Sequence, residues 1–179
     1  MSNIGANCGQ ASLRSLRDSC DCGDPSWPKV VDLGFSPVER LVLDLVRCNC
    51  AGYADSTQLA WEFGLSAAME LFGSQAGPEL FGRVLAVSKA VRTERLGSFC
   101  FLTVRCCRIT PDERILMGAV VRARQSANSD LALRVRAVVK SNDYDETLDA
   151  LQLLGATCRK IEPLTTTHPQ LSGQRPVLH

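Results

Sequence analysis

Histidine is almost missing from this chain. It has two, His168 and His179, both in a proline-containing C-terminal stretch. Ser–His–Asp and Cys–His chemistry needs an imidazole within hydrogen-bond reach of the nucleophile, and such a stretch is a poor place to hold one. Histidine-ligated zinc is disfavoured for the same reason. No Gly-x-Gly-x-x-Gly turn, Gly-Lys-Ser/Thr phosphate loop or His-Glu-x-x-His pair occurs. Long apolar runs are also lacking. The longest are a few residues, far below the roughly 20 that span a bilayer, so no membrane partner is expected. Charge of one sign is not in excess: 20 Lys and Arg against 19 Asp and Glu leave a net charge of +1. That excludes a polybasic nucleic-acid tail and an acidic disordered segment.

What is present describes an ordinary globular domain. The 179 residues are 45% hydrophobic and 22% charged, enough for one self-sufficient core. Residues 1–29 mix Ser, Asn, Gly, Cys and Asp without a sustained period and are expected to form a loose N-terminal arm. Residues 162–179 carry Pro163, Pro169 and Pro176 among Thr and Gln and are expected to form an irregular tail. The body is then residues 30–161.

Helix signals fill that body. Ser36-Pro37-Val38-Glu39 has a cap, a proline in the first position and a glutamate three residues after the cap. Leu41, Val42, Leu45 and Val46 follow at helical spacing, with Gly52 as the stop. A second helix from Asp55 or Ser56 should carry Leu59, Phe63 and Met69 inward, with Gly64 as an interruption. Pro78-Glu79 opens a third, whose Leu80, Val84, Val87 and Val91 form a narrow stripe. Thr110-Pro111-Asp112-Glu113 is the strongest start signal and precedes Ile115, Leu116, Ala119, Val120 and Ala123. Asn128-Ser129-Asp130 recaps a helix with Leu131, Val135, Val138 and Val139. Asp143 or Asp145 starts a last helix carrying Leu148, Leu151, Leu153 and Leu154 and stopped by Gly155. Residues 98–109 are rich in β-formers. The preferred reading continues the third helix to about Cys107, and the alternative is a strand paired with residues 29–33. The fold class is therefore all-α, an irregular bundle of five or six helices with flexible arms.

Nine cysteines stand against this spare background. Met1 to Gln10 lacks the basic start and the roughly 7–15 apolar residues of a secretory signal, so a cytoplasmic, reducing location is expected. There cysteine signifies packing, metal or chemistry more than disulfide, and the odd count disfavours a complete disulfide set. Cys48-x-Cys50 and Cys106-Cys107 supply the candidate ligands Cys48, Cys50, Cys106 and Cys107 for zinc or an iron–sulfur cluster. Geometry opposes this, because residues i and i+2 of a helix point about 200° apart. The alternative role for each is a small buried apolar group. The carboxylates Glu39, Asp44, Glu62, Glu70, Glu113 and Asp149 show no catalytic spacing and are assigned to solvated faces and caps.

Nucleic acid is the other possible partner. Residues 58–66, with Ala60 and Gly64, resemble the turn of the helix-turn-helix family, which implies a second helix in the major groove. Past Gly64 the pattern departs: Glu70 stands at the expected buried position, and residues 51–82 hold four acids and no base. The cations lie further on. Residues 83–140 carry twelve bases and four acids, a surface that would suit nucleic acid or an acidic partner if those bases faced solvent. The best reading is a small regulatory or protein-interaction domain without catalysis. It would use an exposed apolar patch for a protein partner or for self-association as a dimer. Thiolate metal binding and nucleic-acid binding are the alternatives.

Overall fold

The computed structural model describes residues 24–126 and 128–166. The arm at 1–23 and the tail beyond 166 lie outside these residues. After a short 3-10 turn at Val30–Leu33 come five helices: α1 Pro37–Asp55, α2 Leu59–Glu94, α3 Pro111–Arg124, α4 Asn128–Val139 and α5 Asp145–Thr166. The described residues contain no strand, and the all-α class holds. None of these helices is long and apolar enough to cross a membrane.

The two expected capping boxes form. The Ser36 and Thr110 hydroxyls accept from the backbone N–H groups of Glu39 and Glu113, whose carboxylates accept in return from the cap backbones. From Val38 to Asn49 α1 is buried on nearly every side, with Glu39, Arg47 and Asn49 enclosed beside Leu41, Val42, Leu43, Leu45 and Val46. Leu80, Val84 and Val87 of α2, Leu116 and Val120 of α3, Val135 of α4, and Leu151 and Leu154 of α5 belong to the same core. Leu153 points outward.

α2 departs most from the expected pattern. It is a helical hairpin, with limbs 59–72 and 74–94 reversing at Gly73. There φ is 78° and ψ 178°, a conformation that is essentially glycine-only. A methyl group on Gly77 would stand 2.6 Å from the Ala68 carbonyl oxygen, and one on Gly64 would stand 3.1 Å from the Phe81 ring. The limbs therefore pack antiparallel through small residues. Gly64 is a close-packing site within an unbroken limb, so no helix-turn-helix turn occurs at residues 58–66. The limb buries Gly64 and Ala68, which leaves Leu59, Phe63 and Met69 exposed, Leu59 at 73%. Pro78 lies within the second limb rather than opening it.

Two other glycines also serve packing. Gly52 does not end α1, which continues to Asp55; a methyl there would stand 2.6 Å from the Trp61 indole. Gly155 does not stop α5. Its missing side chain lets α5 close on α3, where a methyl would meet the Ala123 carbonyl carbon at 2.4 Å. The start of α5 is capped from another element: the Glu94 carboxylate accepts from the Glu146 and Thr147 N–H groups at 2.8 and 2.9 Å.

Residues 95–110 are neither helix nor strand, so both expectations for this segment fail. Its contact with residue 29 is a single antiparallel bridge, Lys29 to Arg108, flanked by Val30 N–H donating to Cys107 O and Ile109 N–H to Pro28 O. Side chains do the work of a missing sheet partner.

Candidate functional site

Two fully enclosed charges hold the 95–110 segment. Arg47 of α1 and Glu113 of α3 are 1% and 0% exposed and form a bidentate pair, Nε–Oε1 2.7 Å and Nη2–Oε2 3.0 Å. The guanidinium also donates to Cys106 O (2.9 Å) and Arg108 O (2.6 Å), and the carboxylate accepts from Leu102 N–H at 3.1 Å. Thr110 adds a bond to Cys100 O at 2.8 Å. A buried pair survives desolvation only when its remaining donors and acceptors are also met, as here. Glu39 is buried as well and pairs with Arg124 at 2.9 Å. Glu39 and Glu113 thus leave the class of solvated carboxylates because each meets an arginine from a distant element.

Beside this scaffold lies a cleft of about 540 Å³ between α1, the second limb of α2 and residues 97–101, with Leu116 of α3 at its floor. From α1 come Val46, Cys50, Tyr53 and Ala54; from α2 come Ser88, Val91, Arg92 and Arg95. Phe99 and Phe101 close the third side. No carboxylate lines it. Arg95 is fully committed. It donates to Ser98 O from Nε and Nη2 at 3.1 and 3.0 Å, donates to Val138 O from Nη1, pairs with Asp112 at 2.8 Å, and lies 5.3 Å from the centre of the Phe99 ring. Arg92, one turn earlier, stacks on Tyr53 at 4.2 Å. Tyr53 is braced edge-on by Trp61, with ring centres 5.3 Å apart at 77°. Trp61 in turn occupies the space opened by Gly52.

The cysteines distribute as follows. Cys48 is buried against Gly64, and burial followed by the nearby Asp44 pushes its thiol up to about 11. Cys50 lines the cleft; burial, then the Glu113 charge, pushes its thiol up to about 12. Cys106 is held in a disulfide, while Cys48, Cys50 and Cys158 carry free thiols. One disulfide is compatible with the odd count, which disfavours only a complete set, but it takes Cys106 out of the packing, metal or chemical roles expected of it. A disulfide sulfur is not a thiolate ligand. Among the described residues no three His, Cys, Asp or Glu side chains gather as a metal group, so Cys48, Cys50, Cys106 and Cys107 do not meet as one.

Half of the twelve bases of residues 83–140 make contacts within the fold. Arg95, Arg122, Arg124, Arg134 and Lys140 make ion pairs, and Arg108 donates to the Pro25 and Trp27 carbonyls. Six of the twelve cations thus serve the fold. Comparison with protein-family models, with curated proteins and with solved structures finds no match to this chain.

Sequence reasoning missed Arg47, Tyr53, Arg92 and the two phenylalanines. For Arg47 a signal existed: it lies among Leu43, Leu45, Val46 and Cys48, and a charge enclosed among apolar neighbours must be paired. For Arg92 and Tyr53 none did, because their meeting depends on how α1 and α2 cross.

Proposed function

We propose that this chain is a regulatory binding domain that takes an apolar group into the cleft between α1, α2 and residues 97–101, without chemistry. The observation carrying this reading is the lining itself: an apolar cavity of about 540 Å³, within the roughly 300–1,000 Å³ typical of small-molecule sites. Its few polar groups are placed rather than scattered, which is how such sites orient a ligand. Among the described residues no carboxylate lines it, and Cys50 stays a neutral thiol near pH 7, so this lining suits retention more than turnover.

A neutral fluorescent apolar probe, N-phenyl-1-naphthylamine, tests this. One saturable site per chain is expected. Ser88→Phe fills the cleft from α2, and the more exposed Ala54→Phe obstructs it from α1. Each should weaken the probe by about tenfold or more, through clash with the occupant. Absence of a saturable site, or full binding by a folded Phe variant, overturns the reading.

A further inference from the structure

We infer that the cleft takes an amphiphilic monocarboxylate, its apolar chain inside and its carboxylate on Arg92; this rests on the binding reading above. Two guanidinium groups border the cavity. Arg95 has all three of its nitrogens engaged by Ser98 O, Val138 O and Asp112. Arg92 makes no ion pair among the described residues and is exposed at the mouth. A guanidinium over an aromatic face is held by its charge and keeps its N–H donors for another acceptor. Those donors match the two oxygens of a carboxylate. The stack is itself held in place, because Trp61 braces Tyr53 and Gly52 makes room for Trp61. The cation is therefore pre-positioned, which lowers the ordering cost of binding.

The interior decides the rest of the ligand. Ser88 already donates its hydroxyl to Val84 O at 3.0 Å, and the Cys50 thiol is a weak partner. Only the Tyr53 and Ser98 hydroxyls remain to meet the many polar groups of a sugar or nucleotide, which would therefore bury most of them without partners. An aliphatic chain loses nothing on entering. One anionic end and an otherwise apolar body is the chemistry that matches one uncommitted cation above an apolar cavity.

Calorimetric titration of the full chain with octanoate, decanoate and dodecanoate, and with the matching alcohols, tests this below micelle-forming concentrations. Each added methylene should tighten binding by about fourfold, corresponding to about 0.8 kcal/mol per buried CH2, until the cavity is filled. The acid should bind about tenfold tighter than its alcohol, and the margin should shrink with salt. Arg92→Gln should erase the acid-over-alcohol margin in a chain that still folds and still binds the alcohol, since Arg92 makes no ion pair among the described residues and loses only its contact with Tyr53. Arg92→Lys should restore part of the margin. Equal affinity of acid and alcohol in the unaltered chain, or a margin that survives Arg92→Gln, overturns the carboxylate assignment while the cleft reading stands. Failure of the alcohols and of the neutral probe alike removes both.

Discussion

Two regions meet along residues 95–110, and they use the same side chain in opposite ways. On one side Arg47 and Arg95 are enclosed, with their donors on carboxylates and carbonyl oxygens. On the other Arg92 lies across Tyr53 at the cleft mouth, without a carboxylate. The enclosed pair takes the place of a sheet partner and holds an irregular segment; the stacked one is left to meet something from outside. An arginine's role is thus set by how many acceptors its surroundings supply, not by its position on a helix.

The largest expected break in this comparison is Arg47→Leu. It leaves Glu113 buried without its partner and two carbonyls without a donor, a loss of about 3–5 kcal/mol. Urea denaturation should show a marginally folded chain, and near-normal stability would mean the pair is not structural. Thr110→Ala comes next. It removes a helix cap and the bond to Cys100 O, for about 0.5–2 kcal/mol. An unchanged denaturation midpoint would show that the hydroxyl does not hold the segment. The smallest effect belongs to the cleft side. Cys50 has its thiol raised from about 9 to about 12. Between those values the folded chain keeps a proton that the unfolded chain has lost, so stability falls as pH rises, by up to about 1.4 kcal/mol per pH unit for this group. Cys50→Ala should flatten the alkaline decline measured by denaturation at pH 9–11. An identical slope would place the thiol in solvent.

Much of the fold was legible because it depends on local periodicity. The boxes at Ser36 and Thr110 and the stripes at 80–91, 116–123 and 131–139 need only neighbours three and four residues apart. The errors cluster where small residues matter. Gly52, Gly64 and Gly155 resemble helix breakers in one dimension, yet each lies within a helix and admits a close neighbour. Leu59, Phe63 and Met69 have the hydrophobicity of core residues, but the limb turns its small side inward because the hairpin at Gly73 brings two backbones together. The candidate cleft was invisible for a related reason. Its walls come from four separate stretches, and its defining stack joins Arg92, Tyr53 and Trp61 across two helices.

By itself, then, the chain's order of residues determined five helices, most of their starts and much of their inward faces, since hydrogen bonding and amphipathic spacing act within a few residues. Tertiary structure alone decided which glycines are contacts, which arginines are enclosed, and that a cavity opens beside residues 97–101. Those outcomes depend on groups distant in the chain, 66 residues apart for Arg47 and Glu113 and 85 for Glu39 and Arg124, reaching the same few ångströms.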